Sequence, residues 1–520
     1  MDAIIILLAL AVGLIFKRFN YPPLLGYLLA GFVAHEVGVG DINVIMPLAD
    51  IGILLLLFTI GLKLNLKQLA APYVWGTAVI HMIIAVVLTV PVIGAAGYWM
   101  PALQFEHSAS AWALAFALSF SSTVFAVKIF DERGESAAFH ASIAIGILII
   151  QDLFAVCFLV LSSDKPIEPS AIILLALPLI RPALLYLQRI SGHGELLVLF
   201  GVVVALGAAE LFEVFNLKGG LGALIFGVLL GNSERSGELY KNLANLKDLF
   251  LIGFFLQIGY YGLPSIEMLF VALTLALLIF MRPVIYYFLL VVFKVRARTA
   301  FLSGMALFNY SEFGLIVAAI AVSGGILSHE WLTTLALAMS ISFFIATPFN
   351  TRVHDLFSKN HDPLEKYERN KRLEQEKIPS IGDANIVVLG LGRVGFGAYQ
   401  YLNDKYNGKV IGVDEKHSRV ENYCERGMNC IRADANDYEF WKQSNLTSCD
   451  KIFVCLSNHK ENMYIVRLAR EMGYKNVLAV VSHFADQQKE LEEHGCISFN
   501  LFAEAGYGFA EHVLTELKTK

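Results

Sequence analysis

Charge is scarce in this chain. Only 16% of its 520 residues are Asp, Glu, Lys or Arg, whereas 56% are hydrophobic, and the mean hydropathy is +0.60. That balance excludes a disordered or wholly soluble chain and fits a polytopic membrane protein. Cysteine is sparse too. Five of the six (Cys424, Cys430, Cys449, Cys455 and Cys496) fall late in the sequence, without CxxC or metal-ligand spacing. Such a set gives no zinc site or disulfide framework and fits a reducing cytosol. No basic cluster marks a nucleic-acid surface, and the formal net charge is −5. No TVGYG-like stretch provides a ring of filter carbonyls. The first apolar run, Ala3–Phe16, lacks a basic leader and a small-residue cleavage site. It therefore reads as a retained helix and not a signal peptide.

What charge there is lies unevenly. Residues 1–350 are mostly apolar runs, and residues 351–520 have ordinary soluble composition. A span needs about 20 apolar residues. On that scale thirteen helical segments are predicted: 3–16, 22–36, 46–62, 73–98, 107–130, 139–163, 168–187, 195–213, 218–231, 247–262, 264–293, 297–325 and 330–350. Basic residues follow the odd-numbered segments: Lys17 and Arg18, Lys63 and Lys67, Lys128 and Arg133, Arg189, Lys241 and Lys247, then Lys294, Arg296 and Arg298. Loops after even-numbered segments carry Glu36, Asp41, Asp164, Glu168, Glu210 and Glu213, with Lys165 and Lys218 as exceptions. The positive-inside rule then puts the N-terminus outside and the soluble part in the cytosol.

Two spans carry dense polar interruptions. The fifth reads Leu118-Ser119-Phe120-Ser121-Ser122-Thr123-Val124, and the twelfth reads Phe308-Asn309-Tyr310-Ser311-Glu312-Phe313-Gly314. They occupy matching places if segments 4–6 and 11–13 form an inverted repeat. Paired, crossed broken helices of that kind build midplane ion sites from unwound carbonyls and half-helix ends. Asp152, beside Gln151, lies in the middle of the sixth segment. An intramembrane carboxylate costs about 2.5–3.5 kcal/mol on insertion scales and is usually kept for transport. Asp152 can alternate between a proton and a monovalent cation, while Gln151 supplies an amide and no second titrating group. One proton per cation, an electroneutral exchange, is the expectation. Arg282, in the eleventh segment, does not release its proton; it reads as a fixed counter-charge or a tie for a broken-helix end. Glu312 and Glu195 read equally as supporting ion-pair members or interface residues.

Residues 351–383 form a charged linker. It is expected to be a short amphipathic helix on the cytosolic surface, with the charge-dense run Glu365–Lys377 in it, stopped by Pro379 and Gly382. Residues 384–520 then open with a buried strand, Asn385–Leu389, followed by Gly390-Leu391-Gly392-Arg393-Val394-Gly395 and a helix. A second strand ends at Asp414, 22 residues after Gly392. This is the order of a Rossmann dinucleotide fingerprint: glycines for the turn and close phosphate approach, a carboxylate for ribose hydroxyls. Arg393 is a candidate phosphate contact, Asp434 and Asn436 face the base, and Ser457 reaches the same cleft edge from the strand that starts at Lys451. No acid, base and nucleophile constellation accompanies the fold, so no enzyme activity is expected.

Pro22–Gly31, Gly52–Leu62, Ser121-Ser122-Thr123, Gln151-Asp152 and Ser311-Glu312-Phe313 together resemble the cation:proton antiporter-2 family, in its Kef-type potassium efflux branch. The resemblance covers most of residues 1–350. It implies a Na+/H+-antiporter-like homodimer with scaffold and moving core domains in the bacterial inner membrane, surrounded by lipid, with Asp152 carrying cation and proton. Residues 384–520 resemble the RCK or KTN regulatory domain of potassium transporters and channels, which implies AMP, ATP or NAD(H) as ligand and a domain dimer. Departures exist. Leu478–His483 contains no arginine where glutathione-gated members have one, the loop Ser233–Asn242 is mixed in charge, and Lys63 stands where many relatives have glutamate. The expected function is potassium:proton antiport under nucleotide control. A sodium:proton antiporter on the same frame and a ligand-gated potassium channel remain the alternatives.

Overall fold

The computed structural model describes residues 3–519, apart from 20, 22, 40–41, 64–69, 100–107, 136–137, 162–167, 218, 232, 234, 261–262, 370 and 407. Lys67, Lys165, Asp164, Lys218, Asp41 and Pro22, all used in the topology argument, lie outside the described residues. The chain forms two compact units. One comprises residues 1–126 and 143–369, and the other comprises 127–142 and 370–520.

In the first unit each apolar segment becomes helix, because a backbone away from water must satisfy its own N–H and C=O groups. The helices are α1 Ala3–Arg18, α2 Pro23–Val37, α3 Ile42–Lys63, α4 Pro72–Trp99, α5 Ser108–Ala117, α6 Thr123–Arg133, α7 Phe139–Leu161, α8 Arg181–Ile190, α9 Glu195–Val214, α10 Gly219–Leu230 and α11 Ser236–Gly259. Then follow α12 Ile266–Leu277, α13 Met281–Val292, α14 Ala297–Ala306, α15 Glu312–Ser323 and α16 His329–Thr351. The predicted fifth and twelfth spans are each broken in two, at residues 118–122 and 307–311. The seventh departs from expectation. Pro169–Ile180 winds as 3-10 turns around Pro178 before α8 begins, since proline removes one of the N–H donors an α-helix needs.

Glycine seams set the helix spacing. A Cβ on Gly31 of α2 would lie 2.4 Å from the Leu256 carbonyl oxygen of α11, and one on Gly227 of α10 would lie 2.2 Å from that of Phe58 on α3. Only glycine lets these backbones touch, the small-residue packing expected where lipid supplies no hydrophobic drive between helices. Phe58, Leu197, Phe212 and Leu239 fill the space behind the second seam. Elsewhere apolar side chains face outward at helical spacing, as with Leu196, Leu199 and Val203 on α9, a surface suited to acyl chains.

After α16 come the short helices α17 Val353–Lys359 and α18 His361–Glu365. Of the linker helix expected over 351–383, these two short helices form, and the run beyond Glu365 is not helical: its described residues hold turns and a 3-10 turn at Glu374–Glu376. Its few apolar residues make no continuous stripe, and a short polar helix without a face to bury is marginal in water.

The second unit is a six-stranded, all-parallel sheet in the order β3-β2-β1-β4-β5-β6. Its strands are β1 Ile386–Leu389, β2 Val410–Asp414, β3 Cys430–Arg432, β4 Lys451–Val454, β5 Val477–Ser482 and β6 Ile497–Asn500. Between and after them run α19 Arg393–Tyr406, α20 His417–Glu425, α21 Tyr438–Gln443, α22 His459–Glu471, α23 Ala485–Glu493 and α24 Leu501–Thr519. β1 and β2 are buried along their whole length, as unbroken apolar runs in a doubly covered parallel sheet should be. The strand order reverses between β1 and β4, which places a ligand crevice beyond their carboxyl ends.

Candidate ion site and nucleotide cleft

The ion site begins with the two breaks. Gly314, in the first turn of α15, packs so closely on the end of α5 that a Cβ there would lie 2.2 Å from the Ala117 carbonyl oxygen. That approach lets the unwound stretches meet. The Ser122 backbone N–H donates to Asn309 Oδ1 at 2.7 Å, and the Ser122 hydroxyl donates to Glu312 Oε2 at 2.9 Å. Ser121 donates its N–H to Gln151 Oε1 at 3.0 Å, and its hydroxyl to the Leu307 carbonyl at 3.2 Å. Thr123, first residue of α6, donates to Asp152 Oδ2 at 3.1 Å. Ser311 caps α15 by accepting from the Phe313 N–H.

Arg282 sits over this junction. Its guanidinium donates to the carbonyls of Leu118 and Phe120, both at 3.0 Å, and to that of Asn309. The same group lies 4.9 Å from the centre of the Tyr310 ring. These carbonyls lost their helical partners when α5 and α14 ended, and a planar fork of donors supplies replacements. Asp152, Gln151, Ser121, Ser122, Arg282 and Glu312 are all buried, and Thr123 nearly so. Among the described residues, Asp152 Oδ1 and Glu312 Oε1 have no hydrogen-bond partner. Buried oxygens of that kind are rare. They suit a site whose occupant is a proton or a desolvated cation. Glu195 is exposed at the start of α9 and takes no part.

Three site residues are missed by sequence reasoning. Tyr286 accepts a bond from Gln151 Nε2 at 2.9 Å and stands 3.3 Å from Ser121 Oγ. His81 stacks on the Tyr286 ring at 3.8 Å between centroids, and neither of its ring nitrogens has a hydrogen-bond partner among the described residues. Asn309 bridges the two breaks. For Tyr286 a signal exists, since it lies one helical turn beyond Arg282 and shares its face. His81 gives none, because a lone histidine in an apolar helix looks like any buried polar residue.

The second unit holds a cavity of about 530 Å³ at the sheet's switch point, within the usual range for small-ligand pockets. Gly390, Gly392, Arg393, Val394, Asp414 and Ser457 line it. Gly390 has φ +87°, and a Cβ on Gly395 would fall 1.8 Å from the Gly390 carbonyl oxygen. Both positions therefore require glycine, the first for its backbone angle and the second for helix-to-turn contact. Asp414 accepts from the Leu391 N–H at 2.8 Å, the Lys416 N–H at 2.9 Å and Arg419 at 2.6 Å. Asp434 lines the cavity. Asn436 does not. It is buried beside the cleft and donates to Glu461 Oε1 at 3.1 Å.

Part of the cavity lining is acidic: Asp414, Glu415, Asp434 and Glu461. Burial, reinforced by Asp434, Glu461, Glu135 and Asp414, pushes the Glu415 carboxyl up to about 9. Burial and Asp434 push Glu461 up to about 8. Both therefore keep their protons near neutral pH and ionise as pH rises through those values. A phosphate-bearing ligand should accordingly bind less tightly at about pH 9.5 than at about pH 7, because two added negative charges in a wet cleft cost roughly 1–2 kcal/mol. Calorimetric titration at both pH values checks this, and equal affinity would refute it.

Crossed broken helices around a buried carboxylate, joined in one chain to a Rossmann unit, define a cation/proton antiporter with an attached sensor module. The comparisons agree. Residues 4–165 and 169–352 match the sodium/hydrogen exchanger transmembrane family, and residues 386–498 match the TrkA-N domain. The chain belongs to the sodium/hydrogen exchanger family, in its Kef-type cation:proton antiporter-2 branch with a C-terminal TrkA-N domain. It is 26% identical to the putative cation/proton antiporter YbaL of Escherichia coli (strain K12), covering 94% of this chain and 92% of that protein. It is 25% identical to the putative K(+) efflux antiporter KefB of Alkalimonas amylolytica, covering 97% and 79%. Among solved structures, the sodium proton antiporter MjNhaP1 from Methanocaldococcus jannaschii matches at 14% identity and TM-score 0.49, covering 68% of this chain and 96% of that one.

Proposed function

We propose that this antiporter exchanges potassium for protons one for one through Asp152, across the bacterial inner membrane, and that a nucleotide in the TrkA-N unit regulates it. The observation that carries the ion reading is Asp152 itself. It is a buried carboxylate with one oxygen held by Thr123 and the other without a partner among the described residues. In the protonated state the proton sits on Asp152, which is neutral. In the loaded state the carboxylate holds a monovalent cation, helped by the hydroxyl and carbonyl oxygens of the unwound stretches. The charge in the site is the same in both states, so each half-cycle moves one positive charge and the exchange is electroneutral.

Arg282 keeps the carbonyls of the break in place and never titrates. Gln151 fixes Ser121 and Tyr286 without adding a second exchangeable proton. Glu312 is held by Ser122 at the start of α15. Potassium is chosen on the Gln151-Asp152 pair and on the similarity to the putative potassium efflux antiporter, and sodium fits the same frame. For the nucleotide, Gly392, Arg393 and Val394 would hold phosphate at the start of α19, Asp414 the ribose hydroxyls, and Asp434 the base. AMP, ATP and NAD(H) share those three features.

The test is cation-driven proton movement in proteoliposomes with potassium, sodium and lithium in turn. Potassium is expected to give the largest signal, without net current. A sodium response alone would replace the ion and keep the mechanism. Current through the bilayer would rule out one-for-one exchange.

A further inference from the structure

The α6–α7 hairpin belongs to the same compact unit as the TrkA-N sheet: residues 127–142 group with 370–520. Gly134, at its tip with φ +78°, lines the nucleotide cavity. It packs so closely on α22 that a Cβ would lie 2.7 Å from Glu461 Oε2 and 3.1 Å from Asn458 Cβ. Glu135 is buried beside it, 3.0 Å from His140 Nε2 and 3.5 Å from Arg133. Phe139 lies under the Arg432 guanidinium at 5.8 Å, and Arg432 Nε donates to the Glu415 carbonyl at 3.1 Å. Gly134 is thus part of the cavity wall, against Glu461 of the acidic groups that line it.

The same hairpin joins the two helices that carry the ion site. Thr123 opens α6, and Gln151 and Asp152 lie along α7. At 1.5 Å per residue, Gly134 stands roughly 16 Å of continuous helix from Thr123 and about 20 Å of helix separates Phe139 from Asp152. Each helix runs without a break from the hairpin to the residues of the ion site, which makes the pair the direct covalent route between them.

We infer that the α6–α7 hairpin is the read-out element of the nucleotide cleft: a nucleoside seated against the acidic groups contacts Gly134 and Glu135, and its presence resets α6 and α7 and with them Asp152. The inference rests on the nucleotide reading above and adds which part of the transporter feels the ligand. The neutral carboxyls among them suit donors such as ribose hydroxyls and a base amine. The phosphates are assigned to the glycine turn, at Gly392 and Arg393. On this inference a free phosphate occupies the glycine turn without engaging the hairpin, and only a ligand carrying a nucleoside completes the contact.

Backbone hydrogen–deuterium exchange on the full-length protein in lipid nanodiscs tests this, with AMP, ADP, NAD and inorganic phosphate each at saturation. A nucleotide that binds is expected to slow exchange both at residues 390–395 and across residues 127–142, and to change cation-driven proton flux at least threefold in proteoliposomes. Inorganic phosphate should leave residues 127–142 unchanged. Protection at 390–395 with the hairpin unaltered, or with flux unmoved, overturns the read-out role and leaves nucleotide binding standing. No protection at 390–395 with any nucleotide overturns the nucleotide reading, and the inference with it.

Discussion

Asp152→Asn is expected to abolish potassium-driven proton movement while leaving the protein folded. The substitution keeps the shape of the side chain, and the amide oxygen still accepts from Thr123, whose bond to Asp152 Oδ2 is 3.1 Å. What it removes is the exchangeable charge. An amide neither binds a proton at physiological pH nor neutralises a potassium ion, so both half-cycles stop together. Initial flux in proteoliposomes should fall at least roughly a hundredfold, equivalent to about 2.7 kcal/mol in the barrier. Thermal stability should hold or rise, since a carboxylate with an unpartnered buried oxygen carries a desolvation cost that a neutral amide lowers. Stability and flux falling together would mean that Asp152 is a structural group. Retained exchange would move the carrier role to Glu312, a second buried carboxylate of the crossing with one oxygen unpartnered among the described residues.

Much of this was legible because membrane burial leaves strong marks in sequence. Thirteen apolar runs predict thirteen helical segments, and the two polar interruptions fall where α5 gives way to α6 and α14 to α15. In those runs a single polar residue stands out, so Asp152 and Arg282 announce themselves. The glycine fingerprint is readable for a different reason: Gly390 and Gly395 occupy positions where any side chain clashes or strains the backbone.

Long-range partners are not legible in the same way. Nothing local says that Arg282 reaches carbonyls on two different broken helices, that Asn309 bridges them, or that His81 stacks on Tyr286. The charged linker shows the opposite failure. An amphipathic helix is expected there, but past Glu365 too few apolar residues form a face to bury, and the helix stops. The hairpin 127–142 is the largest surprise. Its basic ends, Lys128 and Arg133, read as topology signals, whereas its tip belongs to the sheet unit and lines a cavity there.

Arg282 gives the second large effect. Its guanidinium satisfies the Leu118, Phe120 and Asn309 carbonyls from one planar head, at the point where α5 and α14 have stopped donating to them. Arg282→Met keeps much of the volume and strips all three bonds. Each buried carbonyl left without a donor costs about 1–3 kcal/mol, so the loss should be roughly 3–5 kcal/mol after partial rearrangement. The thermal midpoint in detergent should drop markedly, and exchange should be lost with it. Arg282→Lys separates the two contributions. An ammonium keeps the positive charge but is a point donor on a flexible stem, and it does not fork between two broken helices. It should recover part of the stability and little of the flux, because the spacing of the unwound carbonyls around the cation depends on the fork and not on charge alone. Lysine restoring full exchange would make Arg282 a counter-charge to Asp152 and Glu312 in place of a tie. Methionine matching the parent in thermal midpoint would mean that the unwound stretches find other donors, and the guanidinium would have no structural role at the crossing.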